Sequence, residues 1–129
     1  MKAIILAAGE GAHLSPFSET RPISMIGVAG RTMLDNTFGL LKSAGINDIF
    51  IVVRHKKDKL IERLQQQDHN GLNLHYVEQK RKLGIGHAVM QIKNKISPGE
   101  YFLLLYGDTL TAENIFSKVQ QSFHSFKCP

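Results

Sequence analysis

One stretch limits this chain's folding options more than any other: a short apolar run that breaks directly into glycines, Lys2-Ala-Ile-Ile-Leu-Ala-Ala-Gly-Glu-Gly-Ala-His-Leu14. Residues 3–8 show no polar/apolar alternation, as expected of a strand buried on both faces in a parallel sheet. Gly9 and Gly11 then free the backbone to turn sharply. A loop of this kind can aim its N–H groups at phosphate oxygens, because no Cβ keeps an anion from the main chain. It can equally be an ordinary turn. The third glycine of a dinucleotide fingerprint is missing, since Leu14 stands three residues after Gly11. A long polar loop over residues 15–31 follows instead, carrying Pro16, Pro22, Gly27 and Gly30. Its length favours a functional loop.

Downstream, hydrophobic spacing alternates between strand-like and helix-like. Thr32 with Asp35 three positions later reads as a helix cap, and Met33, Leu34, Phe38 and Leu41 recur with helical spacing until Gly45. Residues 46–53 read as a second strand and 56–67 as a helix with the stripe Leu60, Ile61, Leu64. Asn70-Gly71 marks a turn, and residues 72–77 alternate like a strand near a sheet edge. A third helix is expected from Leu83 to about Ser97-Pro98-Gly99, with Ile85, Ala88, Val89, Ile92 and Ile96 on one face. Residues 101–106, the most apolar run, read as a central strand ending in Gly107-Asp108, and residues 111–123 as a last helix presenting Ile115, Val119 and Phe123. This order implies an α/β fold, a three-layer, mainly parallel Rossmann-like sheet. Ligands in such sheets bind beyond the carboxyl ends of the strands, where Gly9, Gly11, Gln79 and Asp108 all fall.

The segment Leu6-Ala-Ala-Gly-Glu-Gly-Ala-His-Leu-Ser-Pro-Phe-Ser-Glu-Thr-Arg-Pro-Ile-Ser-Met-Ile-Gly-Val-Ala-Gly-Arg-Thr-Met-Leu34 resembles the signature of the sugar-phosphate nucleotidyltransferases, which include thymidylyl- and uridylyltransferases. That pattern is Gly-x-Gly-Thr-Arg-Leu-x-Pro-Leu-Thr, three spacers, Pro-Lys-x-Met, then Val-x-Gly-Lys-Pro-Met-Leu, and the spacing agrees without a gap. The resemblance implies a nucleotide-diphospho-sugar transferase type of fold. It places nucleotide-binding residues at Leu6, Ala8, Gly9, Gly11, Gln79 and Gly84, the last two through a segment similar to the family's base-reading one. It places a Mg²⁺ ligand at Asp108, although an aspartate there also suits a capped turn. The implied reaction is attack by a sugar 1-phosphate on the α-phosphorus of a nucleoside triphosphate, with release of pyrophosphate.

Two charged positions depart from the pattern: His13 stands where the family has arginine and Ile23 where it has lysine. Cations facing crowded phosphate oxygens supply most of the catalysis in such a transfer. An unperturbed imidazole is mostly neutral at pH 7, and isoleucine carries no charge. Arg21 and Arg31 are the substitutes in reach along the sequence. Impaired turnover is therefore expected, and a nucleotide-binding or regulatory module without turnover is the alternative.

At 129 residues, with 43% hydrophobic and 21% charged, the chain has the composition of a single globular domain spanning 1–129. Family enzymes continue into a sugar-binding half with a second acidic metal ligand, so the resemblance implies the N-terminal half alone: a fragment, a truncated product or a domain using only nucleotide binding. The formal charge of +5 favours an anionic partner, but the basic residues are scattered and no nucleic-acid motif accompanies them. Five further histidines show no paired ligand spacing, which leaves a zinc site or a Ser-His-Asp triad without support. Cys128 is the only cysteine, so no internal disulfide forms, and no segment approaches the ~18 apolar residues of a membrane span. A soluble cytoplasmic protein is expected, with a homo-oligomer left open.

Overall fold

The computed structural model describes residues 1–9, 15–54 and 57–126. Four parallel strands, β1 (Lys2–Leu6), β4 (Asp48–Val53), β5 (Asn73–Glu78) and β6 (Phe102–Tyr106), form one sheet in the order β5-β4-β1-β6. The chain steps from β1 outward to β4 and β5, then returns to place β6 on the far side of β1. Strand order thus reverses between β1 and β6.

The two central strands, β1 and β4, are buried from both sides. Ala3 and Ile5 of β1 and Ile49, Ile51 and Val53 of β4 point into one core, with α2 (Met33–Ser43), α3 (Lys57–Gln65) and α5 (Ile115–Phe126). Ile4, Phe50 and Val52 point the other way, against Ala88 of α4 (Gly84–Met90) and Ile92 beyond it. Because Ala3 lies beside both Ile49 and Leu103 in register, equivalent residues share a face across the sheet. That double burial explains why β1 shows no alternation. The strand ends at Leu6, two residues short of the expected boundary, but Ala7 N–H still donates to Val52 O at 2.9 Å.

Local signals account for several element ends. Thr32 and Asp35 form the expected capping box, with Asp35 N–H donating to Thr32 Oγ1 at 3.1 Å and Thr32 N–H to Asp35 Oδ2 at 3.2 Å. Gly45 stops α2 at φ +73°, and Asn70-Gly71 turns at φ +50° and +89°. β5 is an edge strand, as its alternation predicts.

Four expectations need correction. Residues 15–31 are not one loop. They hold α1 (Phe17–Thr20), a 3-10 turn (Ile23–Met25) and the first strand of a hairpin pairing β2 (Gly27–Val28) with β3 (Arg31–Thr32). Its turn residues, Ala29 and Gly30, sit at φ +51° and +82°, the signs of the turn that suits a two-residue hairpin.

Among the described residues β6 is an edge strand, not a central one. Leu103 and Leu105 pack on the core, but Phe102, Leu104 and Tyr106 are 38%, 41% and 53% exposed. An apolar run records what a strand could bury, and only pairing decides what it does bury.

The helix opening at Leu83 does not run to Ser97. Gln91 Nε2 donates to His87 O at 3.0 Å, the carbonyl that an α-helical Gln91 N–H would use, and that N–H turns to Ala88 O. The chain then tightens into a 3-10 turn at Lys93–Lys95. Last, α5 starts later than expected and buries Phe116 against the core, while Val119 is 43% exposed. Among the described residues no helix is long and apolar enough to cross a membrane.

Candidate functional site

At the carboxyl ends of β1, β4, β5 and β6 lies a cleft of ≈ 210 Å³. Its floor comes from β1 and the residues after it: Leu6, Ala8 and Gly9. Ile85 and Ala88 of α4 form one apolar wall, and Tyr106 and Asp108 border the cleft from β6. Apolar walls with a few converging polar groups are the usual make-up of a small-molecule site.

Gly107 sets the spacing between β1 and Asp108. Its N–H donates to Leu6 O at 2.9 Å. A Cβ at this position would lie 3.2 Å from that oxygen and 3.3 Å from both Cα and Cβ of Ala7. A side chain here would press on that contact by a few tenths of an ångström, so glycine eases the close approach of the two strand ends. Asp108, exposed just past this contact, is therefore held beside the Ala7-to-Gly9 backbone.

Gln79 is the buried polar group of the site, at 5% exposure. Its backbone N–H donates to Val53 O at 2.9 Å, extending the β4/β5 pairing by one residue. The side-chain Nε2 donates to Gly84 O at 3.0 Å and lies 3.2 Å from His87 Nδ1. Gly84 sits at φ +84°, so its carbonyl reaches Gln79 through a backbone shape that disfavours side chains. Next to Gln79, Glu78 pairs with Lys57 at 2.7 Å. The hydrogen bond from Lys57 holds the Glu78 carboxyl below its ordinary range, and the same bond holds the lysine above its own. This pair ties the end of β5 to the start of α3.

Of the residues singled out from sequence, the structure gathers Leu6, Ala8, Gly9, Gln79, Gly84 and Asp108 into this one cleft. Gly11 and His13 lie outside the described residues. Arg31 is elsewhere: it lines two other surface grooves, one beside Asp35, Arg63 and His69. Arg21, exposed after α1, does not line the cleft. Among the described residues the cations that do are Arg54 and Lys82, neither of which the motif pattern singles out. Arg54 directly follows β4 and Lys82 closes the Lys80-Arg81-Lys82 cluster. Position at the end of a strand was the available signal for Arg54.

The family model described as nucleotidyl transferase matches residues 2–126. The bifunctional protein GlmU of Methanococcus maripaludis strain C5 is 36% identical over 115 residues, which is 89% of this chain and 26% of that protein. The UTP–glucose-1-phosphate uridylyltransferase AglF of Haloferax volcanii is 31% identical over 121 residues, 94% of this chain and 49% of that one. A UDP-glucose pyrophosphorylase solved with UDP-glucose superposes with a TM-score of 0.83 at 20% identity, covering 98% of this chain and 54% of the other, and so shares the fold. The chain spans between a quarter and just over half the length of these proteins.

Proposed function

Because the chain belongs to the nucleotidyl transferase family, we propose that its cleft binds a nucleoside triphosphate and that the protein transfers the nucleotidyl group to a sugar 1-phosphate, releasing pyrophosphate. One observation carries this reading: Gly9, Gln79, Gly84 and Asp108, drawn from three separate stretches, line one cleft where strand order reverses. A relative named for UTP and glucose 1-phosphate supports the substrate class.

Each group in the cleft has a task in this reaction. The nucleobase lies against the apolar wall of Leu6, Ala8, Ile85 and Ala88, with its edge toward Gln79 and Gly84. The Gly9 backbone, without a Cβ, admits the phosphates. A sugar phosphate oxygen then attacks the α-phosphorus, the bond to the bridging oxygen breaks, and pyrophosphate leaves with the displaced charge. Fixed cations stabilise that charge as it develops. Arg54 and Lys82 bring positive charge to the cleft, in place of Arg21 and Arg31.

Asp108 suits Mg²⁺ on chemical grounds. Among the described residues no three His, Cys, Asp or Glu side chains are grouped to hold a metal by themselves. A single carboxylate fits an ion that keeps most of its waters and takes one or two carboxylates beside substrate phosphates. Asp108 would hold Mg²⁺, which when bound supplies charge neutralisation at the phosphate oxygens.

Turnover is impaired in this reading, because His13 and Ile23 stand at two charged positions of the family pattern. The same two residues favour the second reading, a module that binds nucleotide without transferring it. Calorimetric titration with Mg²⁺ and each common triphosphate tests binding, and no heat at millimolar ligand would refute it. Restoring both charges, His13→Arg with Ile23→Lys, should raise pyrophosphate release by about 10²-fold. Intact binding with no gain in release would favour the second reading.

A further inference from the structure

A second cavity lies away from the cleft. It is a groove of ≈ 550 Å³ between α2 and the turn that joins α3 to β5, bordered by Gly30 and Arg31 of the β2/β3 hairpin. Asp35, Gly39 and Lys42 follow one another at helical spacing along the α2 face that lines it, and Arg63 and Asp68 line it from the end of α3 and beyond. None of its residues lines the cleft at the strand carboxyl ends.

Gly39 is the residue that α2 has no internal reason to keep. It stands in the interior of an 11-residue helix, where glycine costs stability relative to alanine, and a Cβ there would meet nothing within 4 Å. No packing contact in the fold needs that space, which opens on the groove. The charges around it are unevenly matched. Arg31 and Lys42 both line the groove, and among the described residues neither forms an ion pair. The two carboxylates there are already engaged. Asp35 Oδ2 accepts from Thr32 N–H at 3.2 Å and from Arg63 Nη2 at 3.5 Å, and Asp68 Oδ1 accepts from Asn70 N–H at 2.8 Å. Three cations against two carboxylates leave the groove one positive charge in excess.

We propose that this groove is a second binding site, which takes the oxyanion group, phosphate or carboxylate, of a small molecule without a nucleobase, seated over Gly39 and held by Arg31 and Lys42. A planar guanidinium fork and a mobile ammonium are the usual partners of such oxygens. Without a Cβ at position 39 the anion can approach the helix surface closely. A nucleotide suits the groove poorly. Its apolar side chains are Phe38, only 4% exposed, and the half-buried Leu72, which leave no wall for a base, and the two aspartates oppose the charge of a triphosphate. The site therefore stands independently of how the cleft is read.

The test is an amide chemical-shift titration of the ¹⁵N-labelled chain with sodium phosphate and, separately, with sodium citrate, at constant ionic strength. Saturable changes at millimolar anion are expected at Arg31, Gly39 and Lys42. Saturation by phosphate alone assigns a phosphate ester, by citrate alone a carboxylate, and by both an oxyanion of either kind. The titrations are repeated on Gly39→Gln, which fills the space over the helix without adding charge, and on Lys42→Gln, which removes one cation at similar length. Each should weaken binding at least about tenfold. Glutamine is a better helix former than glycine, so Gly39→Gln should not lower Tm and its loss of binding is not a loss of fold. No saturable change with either anion, changes confined to cleft residues, or unchanged affinity in either variant overturns the proposal. Added Mg²⁺–UTP should leave the anion in place, and its displacement would overturn the base-free assignment.

Discussion

Gly107→Ala probes the contact that brings β6 to the site. The added methyl would meet Leu6 O at 3.2 Å and two atoms of Ala7 at 3.3 Å. Carbon atoms pack best at about 3.5–4.0 Å, so each neighbour must give by a few tenths of an ångström. None is the free end of a long side chain. Ala7 is 3% exposed, and its N–H is bonded to Val52 O. Overpacking of this kind costs about 1–3 kcal/mol. Alanine also stiffens the unfolded chain, which offsets about 0.4–1 kcal/mol. A net loss of about 1–2 kcal/mol remains. Unfolding entropy near 2.1 cal/mol/K per residue makes each kcal/mol worth about 4 °C in a chain of 129 residues. Thermal unfolding followed by circular dichroism should therefore show Tm lower by about 4–8 °C. Gly39→Ala is the matched control. It sits inside α2 with nothing within 4 Å of an added Cβ, and should raise stability by about 0.5–1 kcal/mol. A Tm for Gly107→Ala equal to or above that of the unmodified chain would refute the close-approach reasoning.

Thr32→Ala removes the capping box of α2 and should cost about 1 kcal/mol, read as a lower denaturant midpoint at unchanged slope; an unchanged midpoint would refute it. Glu100 accepts from Ser97 N–H and Lys2 Nζ, both at 3.0 Å, and these bonds, Ser97 first, hold its carboxyl below the ordinary range. A carboxyl depressed in the folded state stabilises above its unfolded pKa and ceases to as pH falls through the folded one. The stability gap between the unmodified chain and Glu100→Gln should thus be present at neutral pH and close in acid, and a gap that widens in acid would contradict this. Arg54→Ala and Lys82→Ala should each weaken Mg²⁺–UTP binding by about three- to tenfold and flatten its salt dependence. Arg31→Ala, remote from the cleft, should leave binding unchanged, and weakening there instead would relocate the site.

Much of this fold can be read from the residues because local and global signals agree. The capped start of α2, the double-faced apolar strands β1 and β4, and the alternating edge strand β5 follow from patterns that their surroundings reinforce. Gln79 and Asp108 were placed at strand carboxyl ends by order alone, and the parallel register brings both to the cleft with Gly9.

What escaped the sequence depends on distant contacts. The Phe102–Tyr106 run has central-strand composition, yet no described strand pairs with its outer edge. Ile85 fits the helical stripe of Ala88 and Ile92 but is 49% exposed, because the first turn of α4 faces the cleft rather than the sheet. Arg54 and Lys82 occupy no residue-specific motif position, Arg54 following β4 and Lys82 standing as a spacer between Gln79 and Gly84, and the fold brings both to the cleft. Arg31, within reach of the site along the sequence, instead follows a hairpin turn at Ala29 and Gly30, both at positive φ, and faces other grooves. The rotation of one side-chain amide at Gln91, which cuts α4 short, leaves no trace in periodicity.

Nucleotide binding in the cleft is tested most directly by titrating the ¹⁵N-labelled chain with Mg²⁺–UTP and following amide chemical shifts. The largest changes should fall on Leu6 to Gly9, Gln79, Gly84, Ile85 and Asp108, saturating together with one affinity. Changes centred on Arg31, Arg63 and His69, or no saturable change at millimolar nucleotide, would contradict it.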